Sequence, residues 1–333
     1  MKILFVVHRY APYPGGSEYN VQRTAEEMVR RGIHVTVVAG EHKGDLNGVS
    51  VTSNVNPNDF DLVIIHGGDV SVQNIFLQNI KNFKTPVLYW LIKPSESPIC
   101  LQGLMDAKYI GCSTIEDWEH VSKYGVTDKC INIPYGIKEE DVGVSGTFRQ
   151  KYGIPLATRM FLSCGGYWPN KKMKELVEVF KQAQLKNAVL VTTGYDNRHN
   201  LMPSKEENVI PLMIDDPKEI KDAMADADAY IMHSDAEGFG LVLLEAMLNK
   251  TPWISRNIAA AKLLNRLNEL GSTYENDQEL IKILRLFEQE EHKGQRIRNA
   301  YRHVKENYMI GNTVDSILKL VYMKPNNSKK DNE

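Results

Sequence analysis

The chain has 333 residues, 42% hydrophobic and 25% charged, which suits a protein of roughly two domains with sizeable cores. Lysine plus arginine (40) and aspartate plus glutamate (42) nearly balance, giving a net charge of −2 and no strong electrostatic footprint for nucleic acid. The four cysteines form no Cys-x-x-Cys pair, so the reading is reduced thiols and no zinc site.

The first segment, Ile3 to Val7, is a short continuous apolar run, the pattern of a strand buried on both faces. It is too short, and broken too early by His8-Arg9, to read as a signal peptide. No run reaches the ~18 apolar residues of a membrane span. The loop Tyr10 to Glu18 carries two prolines and the pair Gly15-Gly16, with Ser17 as the expected N-cap of a helix from about Glu18 to Arg31 that Gly32 ends. Val35 to Ala39 is the next strand. This β-loop-α-β unit places glycines where a phosphate-facing loop would lie, although a plain turn explains a glycine pair equally well.

The alternation continues. Leu62–Ile65 reads as a strand ending at His66, Val72–Phe83 as helical, Val87–Trp90 as a strand, and 93–98 as a loop. Tyr109–Ser113 is a strand, Thr114 caps a helix to Lys123, and Cys130–Ile133 closes the first half. His8 and His66 stand at strand ends, where open α/β folds bind ligands, and a lone histidine there is more often structural. Residues 138–158 read as a charged linker, with Glu139-Glu140-Asp141 as solvated surface.

The second half begins at Met160–Cys164, a strand, followed by Gly165 to Lys172 and an amphipathic helix, Met173–Ala183. Val189–Thr192, Val209–Ile214, Pro217–Ala225, Ala229–Met232, Pro252–Ser255 and Ala259–Leu270 carry the alternation on. Glu279–Tyr308 and Thr313–Met323 read as helical, and the polar tail from Lys324 as disordered.

The most informative string runs from Ser234 to Met247. A loop leaves a strand, two glycines flank Phe239, and an apolar helix follows. Free amides at a helix start and the positive end of its dipole suit phosphate. Glu237 at the loop mouth and Glu245 inside the helix offer acceptor oxygens for paired hydroxyls, a pattern that fits a nucleotide-sugar. Singly, Glu237 could be a solvated loop residue and Glu245 a charge serving the dipole. Lys171 and Lys172 could neutralise a leaving phosphate, or form a solvated helix start. Asp226-Ala227-Asp228 has the form of a metal-binding Asp-x-Asp, but it lies between a helix and a buried strand and reads as structural.

Ser-x-x-Glu-Gly-Phe-Gly-Leu-x-x-x-Glu-Ala-Met resembles the signature of glycosyltransferase family 4, a retaining family with the GT-B fold. The Gly15-Gly16 loop and Pro134-Tyr135-Gly136 are similar to further family segments. The resemblance implies an α/β protein of two Rossmann-like domains facing a cleft, with a C-terminal helix returning to the first. The domains would be 1–140, with the helix at about 313–324, and 141–312, with a tail at 325–333. The first would take the acceptor and the second the donor.

The resemblance further implies a nucleoside diphosphate sugar as donor, a hydroxyl acceptor of unknown kind, and no required cofactor or metal. Glu237, Lys171 and Lys172 would be catalytic. Gly15, Gly16, Gly238, Phe239, Gly240, Leu241, Val242, Glu245 and Met213 would line the donor, with the base stacking near Pro211–Ile214. A cytoplasmic location is expected, with the inner face of a membrane as a contact surface. The chain departs from the family at two places. Gly166 stands at the position of a family arginine, leaving Lys172, Arg9 or Lys93 to supply the second charge. Ile92 and Lys93 stand where many relatives have a histidine. These departures keep a catalytically silent nucleotide-sugar-binding subunit as the alternative. A GT-B epimerase or phosphorylase fits the glutamate pair poorly, and near-neutral charge gives little support to a membrane-surface assembly role.

Overall fold

The computed structural model describes residues 1–13, 15–41, 44–92, 94–265, 270–287 and 293–322. The chain divides by its internal packing into two units, Met1–Gly136 with the described residues from Ile310 onward, and Ile137–Met309. The expected tail at 325–333 and the candidate cation Lys93 lie outside the described residues.

The first unit runs β1 (Lys2–Arg9), α1 (Gly16–Arg30), β2 (His34–Glu41), β3 (Ser50–Thr52), β4 (Leu62–His66), α2 (Ser71–Gln78), β5 (Val87–Trp90), α3 (Pro98–Asp106), β6 (Tyr109–Cys112), α4 (Ile115–Lys123) and β7 (Cys130–Asn132). Its strands form one parallel sheet in the order β3-β2-β1-β4-β5-β6-β7. The continuous apolar runs explain this: Ile3 to Val6 and Leu62 to Ile65 are fully buried, as a strand covered by helices on both faces requires.

Local chemistry corrects several expectations here. Helix α1 begins at Gly16 with Gly15 as its N-cap, and Ser17 does not cap it. The Ser17 hydroxyl instead donates to Glu18 Oε2 at 2.7 Å. Thr114 caps α4 as expected, accepting from Asp117 N–H at 3.1 Å in a reciprocal capping box. The periodic stretch 72–83 breaks at Asn79 into α2 and a 3-10 turn, Ile80–Asn82. The short edge strand β3 and helix α3 carry too few patterned residues to stand out in the sequence.

The second unit runs α5 (Thr147–Tyr152), β8 (Arg159–Cys164), α6 (Met173–Ala183), β9 (Ala188–Gly194), β10 (Val209–Met213), α7 (Pro217–Asp226), β11 (Ala229–Met232), α8 (Leu241–Leu248), β12 (Trp253–Arg256), α9 (Ala259–Leu264), β13 (Ser272–Tyr274), α10 (Asp277–Leu286) and α11 (Lys293–Asn307). Its sheet is also parallel, ordered β10-β9-β8-β11-β12-β13. Phe161, Leu190, Ile231 and Ile254 from four strands pack with Leu176, Phe180 and Leu280 from α6 and α10. The last helix, α12 (Ile310–Tyr322), returns to the first unit and packs on α1. Thr313 donates to Pro134 O at 2.7 Å, and Arg31 pairs with Asp315 at 2.5 Å. Gly136 is required there, because a Cβ would meet the Ile310 backbone.

Residues 138–158 are not a linker. Gly143 N–H donates to Asn249 Oδ1 at 2.9 Å and Val144 N–H to Asp222 Oδ1 at 2.8 Å, and α5 packs on α7. Nor is Asp141 solvated: it is buried, accepts from Lys138 N–H at 2.8 Å and pairs with Lys221 at 3.1 Å. Glu139 and Glu140 are exposed, as their charge suggested, and Asp141 alone of the three turns inward. Asp226 and Asp228 likewise serve packing. Asp226 accepts from the Gly146 and Arg149 amides, and Asp228 Oδ2 accepts from Met160 N–H at 2.8 Å and from Arg149 Nη2 at 2.7 Å.

Candidate active site

Open parallel sheets bind ligands beyond the carboxyl ends of strands at the point where strand order reverses. In the second unit that point lies between β8 and β11, which pair directly although α6, β9, β10 and α7 separate them in sequence. The loop after β8 carries Gly165 to Lys172, and the loop after β11 carries Ser234 to Gly240. The topology therefore places the lysine pair beside the Glu237 loop.

The two loops are bonded together. Lys171 Nζ lies 2.5 Å from Glu237 Oε1, with the two side chains 17% and 13% exposed, so the pair is screened from bulk water. Asp235 N–H donates to Asn170 O at 2.9 Å, and Asn170 Nδ2 donates to Ala236 O at 3.1 Å. Lys172 takes a left-handed φ of 52° as the N-cap of α6. Its ammonium sits 3.4 Å from Asp235 and 3.5 Å from Glu175, and the Asp235 carboxylate, then Glu175, raises its pKa.

Gly240 caps α8 at φ +83°, a left-handed conformation that favours glycine. Phe239 is buried against Tyr308, ring centroids 5.8 Å apart, and Leu241 is buried too. Those two therefore offer only backbone to a ligand, which is the role expected for Gly238 to Val242. Glu245, in the second turn of α8, is half-buried. Burial first, then the Glu245 carboxylate, push the Cys164 thiol at the end of β8 up to about 12, while Lys171 opposes. The same Cys164 thus feels both Glu245 and Lys171. Met213 ends β10 with 51% of its surface exposed, an apolar platform at the strand ends.

Gly15 and Gly16 lie in the first unit, at the start of α1. A Cβ on Gly15 would meet the Glu18 carboxylate, which would have to swing aside. Arg9, in the same unit, lies 3.8 Å from Glu18. His66 has the structural role that the sequence favoured. It is buried, its Nε2 is 3.1 Å from Tyr135 Oη, and its ring meets Trp90 edge-on at 4.7 Å.

Sequence reasoning passed over a second polar cluster beside the Glu237 loop. Arg256, ending β12, sits 3.3 Å from Asp235 and 3.6 Å from Asp277, and donates to His233 Nε2 at 3.0 Å. With Nε2 accepting, His233 Nδ1–H points at Tyr274 Oη, 2.6 Å away. The available signal was position: a charged residue and a histidine at the carboxyl ends of adjacent strands.

Both buried histidines are held neutral. Burial pushes His66 down to about 3, and burial with Arg256 pushes His233 down to about 4. The unfolded chain, with ordinary histidines near 6.5, binds more protons over this range, so stability is present above about pH 6.5 and is lost as pH falls toward 4 and then 3. Each histidine is expected to cost about 2 kcal/mol at pH 5 relative to pH 7. Urea unfolding at the two pH values checks this. His66→Gln should remove roughly half of the difference, and an unchanged difference in that variant would refute the assignment.

The second unit also matches a known family. Residues 144–304 match the family model described as "Glycosyl transferases group 1". Comparison with curated protein sequences returns no match. Among solved structures, the sucrose-phosphate synthase from Thermosynechococcus elongatus superposes with a TM-score of 0.76 at 14% identity, covering 96% of this chain and 98% of that one. HepE of Anabaena, solved in complex with UDP and glucose, gives 0.76 at 18% identity over 96% and 99%. A glycosyltransferase from Rickettsia africae gives 0.78 at 15% identity over 96% and 97%. At these identities the likeness speaks for the fold, and the family model for the chemistry class. Residues 144–304 are a domain of the glycosyl transferases group 1 family, and the chain is a glycosyltransferase built on the GT-B fold.

Proposed function

We propose that the chain is a retaining glycosyltransferase of family 4 that moves a sugar from a nucleoside diphosphate sugar to a hydroxyl acceptor. The observation that carries this reading is the Lys171–Glu237 contact at the switch point of the second sheet, with the Gly240-headed helix beside it. The bond from the anomeric carbon to the phosphate oxygen breaks, and its electron pair leaves with the diphosphate. The acceptor oxygen forms the new bond, and its proton passes to the departing phosphate.

Each residue has a part in that step. Lys171 places a cation where the leaving charge develops, and preorganised charge of this kind is what accelerates such a reaction. Glu237 orients the donor sugar, Glu245 the ribose hydroxyls, and the backbone of Gly238 to Val242 meets sugar and diphosphate. Gly15 and Gly16 belong to the same donor reading from the first unit. Among the described residues no helix is long and apolar enough to cross a membrane. HepE, a structural neighbour, has been solved with UDP-glucose, which makes UDP-glucose the first donor to try here.

The test is binding and slow hydrolysis of UDP-, GDP- and ADP-sugars by wild type and Glu245→Ala. One donor should bind and turn over. Glu245→Ala should weaken that donor at least tenfold, because the variant leaves ribose hydroxyls without their acceptor. Binding without turnover in the presence of acceptors would favour the silent subunit. No binding to any of the three would end the nucleotide-sugar reading.

A further inference from the structure

The glycine pair at the end of β8 is roofed by two different side chains. A Cβ on Gly165 would lie 3.2 Å from Lys171 Cε, so the lysine stem covers that glycine. A Cβ on Gly166 would fall inside the indole of Trp168, which folds back over the glycine as Trp168 N–H donates to Gly166 O at 2.8 Å. With the indole in this place, a side chain at position 166 has no room. Trp168 in turn carries a cation: the Arg198 guanidinium sits 4.9 Å from its ring centroid, and the His199 ring lies 5.1 Å away.

Arg198 comes from the loop after β9, the strand next to β8. Asp196 fixes it, accepting from Arg198 Nε at 2.6 Å and from its backbone N–H at 2.9 Å. The same loop is tied to its neighbour by Tyr167 N–H donating to Asp196 O at 2.8 Å, and by Lys174 Nζ donating to Asn200 O at 3.0 Å. The guanidinium is thus held by a ring face and one carboxylate, yet its side chain is 63% exposed.

Charge at the site needs such a group. Lys171 is matched by Glu237, Lys172 by Asp235 and Glu175, and Arg256 by Asp235 and Asp277, with Glu245 close by. A diphosphate entering this set meets carboxylates that already balance the nearby cations. Arg198 spends only its Nε on Asp196 among the described residues, which leaves the Nη pair to grip phosphate oxygens as a fork.

We propose that Arg198, mounted on Trp168, is the second diphosphate-binding cation of this chain, filling from the neighbouring loop the role that position 166 is sterically barred from filling. The proposal rests on the donor reading above. Because the ring and Asp196 already hold the guanidinium, little side-chain freedom is lost on binding.

The experiment is calorimetric binding of UDP, GDP and ADP, each beside its own nucleoside, to wild type, Arg198→Gln, Arg198→Lys and Lys171→Ala. For whichever diphosphate binds, Arg198→Gln should weaken it about tenfold and leave the nucleoside unchanged, with Arg198→Lys recovering part of the loss. Unchanged diphosphate affinity in Arg198→Gln, with Lys171→Ala weakened, would overturn the proposal and leave the donor reading standing. Equal loss for diphosphate and nucleoside would also overturn it, since Arg198 would then be shaping the loop. Failure of wild type to bind any of the three would remove both.

Discussion

Lys171→Ala is expected to lower kcat/KM for the donor by about a hundredfold to a thousandfold, the range seen when one preorganised charge or donor is removed from a developing anion. The effect should fall mainly on kcat, because the charge on the leaving diphosphate grows toward the transition state. The geometry gives a second reason. Lys171 holds Glu237 at 2.5 Å, so the variant also frees the carboxylate that would orient the sugar. Glu237→Gln should keep the shape of that contact and lose its charge, and should cost less than Lys171→Ala. Thermal unfolding separates this from misfolding: the ion pair joins two loops over an intact sheet, so melting should shift by only a few degrees. Turnover within threefold of wild type would show that Lys171 is a partner for Glu237 and nothing more.

The central part of this site was legible because it rests on backbone and chain order. Continuous apolar runs alternating with amphipathic helices specify parallel sheets, and glycines beside a helix start mark the anion-facing loop. Sheet order then follows from pairing, and it sets the loops of Lys171 and Glu237 side by side. What was not legible depends on partners remote in sequence. Asp141 read as solvated because its charge is visible and its partner, Lys221, lies about eighty positions on. His66 read as more often structural than ligand-facing, and its partners, Trp90 and Tyr135, emerge only in the fold. The absence of an arginine at position 166 read as a lost charge. That the indole of Trp168 occupies the space beside Gly166 appears only when the loop is folded.

Arg149 carries the largest stability prediction. It is 6% exposed and makes four side-chain bonds: Nε to Asp226 O at 3.0 Å, Nη1 to Pro155 O at 3.0 Å and Thr158 O at 2.8 Å, and Nη2 to Asp228 Oδ2 at 2.7 Å. It thereby ties α5, the turn before β8, and the α7–β11 junction into one block. Removing it leaves three backbone carbonyls, those of Pro155, Thr158 and the buried Asp226, without this donor, and leaves the partly exposed Asp228 without its cation. Arg149→Ala is expected to destabilise the second unit by about 2–3 kcal/mol through the lost hydrogen bonds, read as a fall in urea midpoint. Arg149→Met keeps most of the packing volume and should lose less, because the stem still fills the space between α5 and α7. Asp228→Asn tests the same block from the other side. It preserves an acceptor for Met160 N–H and Arg149 but removes the charge, so it should cost about 1–2 kcal/mol. If instead Asp228→Asn left stability untouched and abolished a metal-dependent turnover, the Asp-x-Asp pair would be a cation site. The bonds it makes to Arg149 and to the amide of Met160 argue for the stability outcome: both carboxylate charges are already answered inside the fold, and a divalent ion would have to displace a buried guanidinium to reach them.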